Sequence, residues 1–343
     1  MAKVSVIVLA YGEEPDLSQC LTAILDQDPH QLLLVDNGAA EAVAKADDPR
    51  ITVLRPGTNT GFAGGVNLAA RHATGDVLVL VNSDAIVDAG AIAVLAAALD
   101  DPAVGVVSGG VRLAEDPGLM NTAGNPVTFL GVVWAGGLGE PEERHRARVD
   151  VASASGCFLA VRRATWEELG GFDESYFAYH EDTELSLRAW LRGYRVQFVP
   201  EAVALHRYAF SRNPGKLALL ERNRWQTVLV TFPARVLIGS LPPMLAFELA
   251  VCAMAARQGW LREKLRTYAW LLRHGSDIAR RRRVVQSSAR LPDADFARLL
   301  SAALEPVAVE RPPALGLVNA CLRGYWWLWL RASGLTTRGS APA

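Results

Sequence analysis

An amide, a hydroxyl and a carboxylate follow one another at Asn82, Ser83 and Asp84, directly after the apolar run Val77–Val81. Oxygen donors grouped in this way suit a hard divalent cation or the phosphates of a nucleotide. Ser83 and Asp84 would also serve as an ordinary cap on a following helix. Two more apolar runs end in polar groups. Val4–Leu9 passes into Tyr11, Glu13 and Glu14, and Leu32–Val35 passes into Asp36, Asn37 and Gly38. Asp36 can accept from the imide N–H of uracil or thymine, or close an Asx-turn with the residues after it. Carboxylates at three strand ends point to a combined nucleotide and metal site.

Three further segments carry chemistry. "NTGFAGGVN" (Asn59–Asn67) is a glycine-rich loop running into a helix, suited to close backbone approach by a phosphate or sugar. "YHEDTEL" (Tyr179–Leu185) sets Glu181, Asp182 and Glu184 at a helix start. Negative charge is favoured there by the helix dipole, which is one reading. The other is a general base that takes a proton from an attacking hydroxyl. His206, in "ALHRY", offers a neutral imidazole to a metal or a plain structural histidine.

The elements that must hold these residues alternate. Strand patterns at Val4–Leu9, Leu32–Val35, Ile51–Leu54 and Val77–Val81 are separated by helical spacing at Leu17–Leu25 and Ala63–His72, and a helix follows over residues 89–100. Such alternation predicts an α/β fold with right-handed crossovers and a mostly parallel sheet, helices on both faces. Ligands of such sheets bind at the carboxyl ends of the strands. From Gly105 to Gly137 short β-prone runs broken by Gly and Pro predict an antiparallel extension. A strand over Ser155–Arg163, a short helix, the helix of "HEDTELSLRAWLRG" and a strand "RVQFVP" complete a first domain over residues 1–210. Residues 211–343 read as a helical region with proline breaks.

The chain of 343 residues carries a formal net charge of -1 that conceals an asymmetry. Residues 1–211 hold 15 Lys and Arg against 28 Asp and Glu; residues 212–343 hold 20 against 8. A basic second half suits an anionic surface. No recognition motif accompanies the charge, so nucleic acid is not the expected partner. Four scattered cysteines without a CxxC pair argue against a zinc site and a disulfide framework and fit a reducing compartment. The first apolar run is short and strand-like, which predicts a cytoplasmic chain without a secretory leader. A dinucleotide fold would put its glycine fingerprint after the first strand, where "AYGEEP" stands instead. A sugar nucleotidyltransferase would need a basic phosphate loop at that same place.

Thr227–Ala256 is strongly apolar, yet Arg235 and Glu248 interrupt it and three prolines fall in it. Its longest uncharged run, Val236–Phe247, is 12 residues, short of the roughly 20 that span a bilayer. With Arg280–Arg283 and the terminal "RGYWWLWLR", the half reads as lying on a membrane surface, the other readings being a packed helical domain or an oligomer interface.

Taken in order, "VSVIVLAYGEEPDLSQCLTAIL", "LLLVDNGA", "NTGFAGGVN", "NSDA", "SGCFLAVRRATWEELGGFDESYFAYHEDTELSLRAWLRGY" and "LHRY" resemble the family 2 inverting glycosyltransferases. The resemblance covers residues 3–210 and is strongest to the rhamnosyltransferase-like branch. It implies the GT-A fold and a nucleotide diphosphate sugar as donor, dTDP-L-rhamnose first and UDP-sugars second. It implies Tyr11 and Glu13 at the nucleotide, Asp36 on the pyrimidine, and Asn59 and Gly61 beside the sugar. "NSD" stands for the metal element usually written Asp-x-Asp. Asp84 would bind Mg²⁺ or Mn²⁺ with His206 as a further ligand, Ser83 would lie in the nucleotide-sugar pocket, and Asn82 would bond the ribose. Gly156 and Cys157 would lie on the acceptor side, with Asp182 the catalytic base and Glu181 its alternative. The acceptor expected is a polyprenyl-linked glycan of the cell envelope at the inner membrane face. The rival readings are a UDP-sugar-dependent transferase with a soluble acceptor and a non-catalytic membrane adaptor.

Overall fold

The structure, a computed structural model, describes residues 2–207, 216–305 and 313–336. It divides into two compact units. The first takes the chain to Asn125, then Ala135–Ala189, then the strand from Tyr194; the second takes Pro126–Trp134, Trp190–Gly193 and the helices that follow.

In the first unit, β1 (Val4–Ala10), β2 (Gln31–Asp36), β3 (Ile51–Leu54) and β4 (Val77–Asn82) run parallel in the order β3-β2-β1-β4. Between them lie α1 (Leu17–Leu25), the short α2 (Ala40–Ala44) and α3 (Gly61–His72). Val6, Val8, Leu32, Leu34, Val79 and Val81 are buried against Leu17, Cys20, Leu21 and Ile24 of α1. Strands covered on both faces need apolar residues at every position, hence the continuous runs in the sequence.

The sheet then turns mixed. After β5 (Ala85–Val87) and α4 (Ala91–Ala97) come β6 (Val104–Leu113) and β7 (Met120–Thr122). The two-residue β8 (Val127–Thr128) lies in the second unit. β9 (Val149–Asp150), β10 (Phe158–Arg162), α5 (Arg163–Leu169), α6 (Glu181–Leu191) and β11 (Arg195–His206) complete the sheet of ten strands. β10 lies antiparallel between β4 and β6, and β11 runs parallel to β6. The segment after Gly105 therefore does not begin as a broken antiparallel extension. It begins as a long strand, buried over its first eight residues and flanked on both edges. "RVQFVP" likewise does not end at Pro200. A proline cannot donate to the ladder, and an irregularity between Val199 and Val203 carries the strand past it to His206.

The second unit holds α7 (Lys216–Thr231), α8 (Ala234–Gln258), α9 (Leu261–Arg273), α10 (Gly275–Ser287), α11 (Asp293–Arg298), β12 (Leu300–Ser301) paired with β8, and α12 (Leu315–Ala332). Pro242 and Pro243 do not break α8, which runs through both. Pro243 frees the carbonyl of Gly239, and the Tyr325 hydroxyl donates to that oxygen at 2.8 Å. Gly239 also lets Trp329 approach; a Cβ there would stand 2.1 Å from the indole nitrogen. By length and composition α8 is the one helix among the described residues able to cross a membrane. Glu248, near its middle, is buried and paired with Arg224 and with Lys264 at 2.7 Å. Of the four adjacent arginines, Arg282 caps α7 by donating to the carbonyls of Leu229 and Phe232, and Arg281 turns two guanidinium nitrogens out of solvent. Arg280 and Arg283 face outward.

Candidate active site

Parallel pairing brings three polar strand ends together. Leu9 of β1 stands opposite Val35 on one side and Asn82 on the other, and Ala10 opposite Asp36. Neighbouring strands lie about 4.8 Å apart, so Tyr11, Asp36 and Asn82–Asp84 leave the sheet side by side. Tyr11 is 58% exposed and its ring lies beside Gly38, an open aromatic face next to Asp36. Asp36 does close the Asx-turn: Oδ1 accepts from the N–H of Gly38 at 3.3 Å and of Ala39 at 2.9 Å. Its Oδ2 stands 3.5 Å from Arg55 Nε. Glu13 is exposed, and it is Glu14 that folds back to accept from the Tyr11 N–H at 3.1 Å.

Behind this edge, buried Asn37 fixes the glycine turn. Its amide donates to Asn59 Oδ1 and to the Gly61 carbonyl, and its oxygen accepts from the Thr60 N–H. Asn59 Oδ1 also takes the Gly61 N–H, so this side chain is turned toward the turn it stabilises. α3 starts at Gly61 itself, two residues earlier than its apolar spacing predicts. The reason is local. Gly61 has φ +72 and a Cβ would lie 2.3 Å from the Phe177 carbonyl, so only glycine fits.

Asp84, between β4 and β5, meets His206, at the end of β11. Asp84 Oδ1 and His206 Nε2 are 3.1 Å apart. Pairing of His206 with Ala85 fixes that meeting. On the far side of the ring, Nδ1 stands 3.0 Å from Oδ1 of Asn121, a residue of β7 that sequence pattern does not single out. Burial disfavours the imidazolium, but the Cys157 sulfur and the Asp84 carboxylate outweigh it and push the His206 pKa up to about 10. Gly156 and Cys157 form the turn that leads into β10. Ser83 is buried, and the Asn82 N–H donates to the Cys157 carbonyl at 2.9 Å. Among the described residues no three His, Cys, Asp or Glu side chains converge. One carboxylate and one imidazole fit Mg²⁺ or Mn²⁺ provided that diphosphate oxygens and water fill the other positions.

The three carboxylates at the start of α6 have three different surroundings. Glu184 is fully buried and bonded to Arg188, whose Nη2 stands 2.6 Å away and also donates to the Gly171 carbonyl. Asp182 accepts from the Gly156 N–H at 2.9 Å through Oδ2 and from the Thr183 N–H at 2.7 Å through Oδ1. Burial raises its pKa, against the pull of those donors. Glu181 is buried too, its pKa raised by burial and then by the Asp182 charge, and its Oε2 has no partner among the described residues. Phe177, Tyr179 and His180, just before them, all have positive φ. Strain of that kind persists only where the surroundings impose it. Here the Phe177 carbonyl accepts from the Ala63 N–H at 3.1 Å, tying the approach to α6 to the glycine turn.

Known proteins resemble this arrangement. The model of the glycosyltransferase like family 2 matches residues 2–227. An N-acetylglucosaminyl-diphospho-decaprenol L-rhamnosyltransferase of Mycobacterium tuberculosis (strain CDC 1551 / Oshkosh) is 29% identical over 247 residues, 61% of this chain and 78% of that protein. An N-acetylglucosaminyltransferase of Rhizobium meliloti (strain 1021) is 27% identical over 263 residues, 71% of this chain and 60% of that one. Among solved structures, GalNAc-T7 with UDP, GalNAc and Mn²⁺ has a TM-score of 0.57 at 18% identity, over 68% of this chain and 48% of that chain. S. aureus TarS 1-349 in complex with UDP has a TM-score of 0.52 at 16% identity, over 99% and 94%. At such identities the structures speak for the fold alone. The family match extends over more than half of the sequence, and the protein belongs to glycosyltransferase family 2, with the GT-A fold.

Proposed function

We propose that the protein is an inverting glycosyltransferase that moves one sugar from a nucleotide diphosphate to an acceptor hydroxyl, with Asp182 as general base. One observation carries this reading. Gly156 and Cys157, consecutive residues, link two groups: the Gly156 N–H holds the Asp182 carboxylate, and the Cys157 carbonyl accepts from the Asn82 N–H at the strand end that carries Asp84. A base and a diphosphate site on either side of one dipeptide are the two ends of an in-line displacement. Asp84 and His206 lie at the diphosphate end and would hold a divalent cation, which would supply positive charge against the departing diphosphate. Tyr11 stacks on the base, Asp36 bonds the pyrimidine through its Oδ2, and the Asn59–Gly61 turn and Asn82 border the sugar. Asp182 takes the proton of the acceptor hydroxyl. The new C–O bond then forms on the face opposite the breaking bond to phosphate, with no covalent intermediate.

The donor inferred is dTDP-L-rhamnose, with UDP-sugars next, and the acceptor a polyprenyl-linked glycan met at the cytoplasmic membrane face. The M. tuberculosis relative, named for transfer of L-rhamnose to a decaprenol-linked substrate, supports both. The carboxylate of Asp84 and the imidazole of His206, 3.1 Å apart, support the cation. The test is transfer from a panel of nucleotide sugars, with Mn²⁺ and with EDTA. Asp182→Asn should lower transfer about 10²–10⁴-fold and leave donor affinity unchanged. Retained turnover in that variant would remove the base assignment.

A further inference from the structure

Asn121 stands out because the proposed chemistry has no use for it and yet it occupies a costly position. It lies in β7, a three-residue strand paired with β6, and is 4% exposed. Its amide nitrogen has no hydrogen-bond partner among the described residues. A buried NH₂ left unsatisfied is costly, a cost that a residue present only to fill space would not bring. The amide oxygen stands 3.0 Å from His206 Nδ1, across the ring from the Asp84 carboxylate.

We infer that Asn121 is a positioning residue for the metal ligand: its carbonyl oxygen keeps a proton of His206 on Nδ1, so that it is Nε2, facing Asp84, that gives up its proton to become the ligand of a cation. An imidazole binds a metal through one bare nitrogen, and the group bonded to the other nitrogen selects the tautomer and fixes the ring plane. A side-chain oxygen does this by accepting the Nδ1 proton. The amide's two ends have opposite effects, since an NH₂ turned toward Nδ1 would move the proton to Nε2 and close the ligand. Asn121 occupies the irregularity of β7, between Met120 and Thr122, which pair with Arg112 and Val111 of β6, and His206 is held by its pairing with Ala85 and Leu113. Paired neighbours on both sides thus fix the backbone from which amide and ring approach each other.

This rests on the metal reading of Asp84 and His206, and the experiment separates the two. Mn²⁺ is titrated into the full-length protein with UDP and with dTDP in parallel, and free Mn²⁺ is read by electron paramagnetic resonance. Asn121→Leu, which removes the acceptor at similar volume, should weaken Mn²⁺ binding about 10–100-fold. Asn121→Asp, which can only accept at Nδ1, should stay within about threefold of the parent, because carboxylate and carbonyl partners serve the same purpose. Nucleotide affinity in EDTA should be equal in all three. Should the leucine variant fail to fold, Asn121→Ala makes the same cut with less bulk and takes its place. Unchanged Mn²⁺ affinity in the leucine or alanine variant, beside its loss in Asp84→Ala, would overturn the role of Asn121 alone. Absence of nucleotide-dependent Mn²⁺ binding in the parent protein would overturn the metal reading, and this inference with it.

Discussion

Glu181 and Asp182 are adjacent, both buried, and differ in what they are given to bond. Asp182 has N–H donors on both oxygens, which keep it ionised more readily than burial alone would allow. A base must be deprotonated to act, and this carboxyl's pKa is raised. Turnover should therefore fall with decreasing pH at a point above the ordinary aspartate value of about 3.9, read as the acid limb of the kcat/KM profile. Glu181 is the opposite case, with its pKa raised and Oε2 left without a partner among the described residues. Because its folded pKa exceeds its unfolded one, the folded state binds the extra proton, and stability is lost as pH rises through the folded pKa. Glu181→Gln removes that loss. It should raise Tm at neutral and alkaline pH by about 2–4 °C, the equivalent of ~1 kcal/mol in a domain of this size, and leave Tm unchanged near pH 4. Equal Tm at every pH would mean that the carboxyl is compensated after all, and lost transfer in this variant would move the base assignment to Glu181.

Helix α6 shows how an element carries a site. Arg188 bonds Glu184 one turn back and donates to the carbonyls of Leu169 and Gly171 at the end of α5. The pair ties α6, which carries Asp182, to the end of α5. Removing one member of a buried pair leaves a bare charge and costs about 3–5 kcal/mol. Arg188→Ala should lose that much in thermal unfolding, while Arg188→Met with Glu184→Met should lose less. Equal losses would show that burial of apolar surface, not the charge pair, holds the helix. The carboxylates of α6 were legible in sequence as a group, but their division was not, because it depends on partners in α5 and at Gly156. The strand ends were legible because a strand buried on both faces must be apolar throughout and a polar residue must mark its exit. Asn121 was hidden. A three-residue strand has no periodicity, and its partner lies 85 residues further on. The run through Pro242 and Pro243 reads as a break because proline removes a donor, and only the hydroxyl of Tyr325 reveals how the freed carbonyl is satisfied.

Charge divides the whole molecule: residues 1–211 carry a net −13 and residues 212–343 a net +12, counting the 15 against 28 and 20 against 8 charged residues. The second unit adds apolar surface to that charge. Ile238, Leu245, Leu249 and Met254 of α8 are exposed on a helix whose other side carries the buried Glu248, and Leu317, Val318, Trp327 and Leu328 are exposed on α12. Part of the expected aromatic cluster is used internally, since Trp326 stacks on Phe129 at 4.5 Å and Trp329 bonds the Arg235 carbonyl. Trp327 remains outside, with Arg331 over its ring. A helix that leaves Ile238, Leu245 and Leu249 exposed while it buries Glu248 presents apolar surface to solvent, and apolar patches of this kind mark interaction surfaces. We propose that α8 and α12 lie on an anionic membrane, held by their apolar faces and by cations. Only Arg280 and Arg283 of the arginine run are turned outward. At about 1 kcal/mol per cation near an anionic surface, Arg280→Gln with Arg283→Gln should weaken binding roughly 30-fold. Leu245→Gln with Leu249→Gln should abolish it. The measurement is flotation of the full chain with vesicles containing anionic lipid, with neutral vesicles, and with added salt. Flotation confined to anionic vesicles and reduced by salt is the expected result, and protein that stays at the bottom of the gradient with anionic vesicles would refute the membrane assignment.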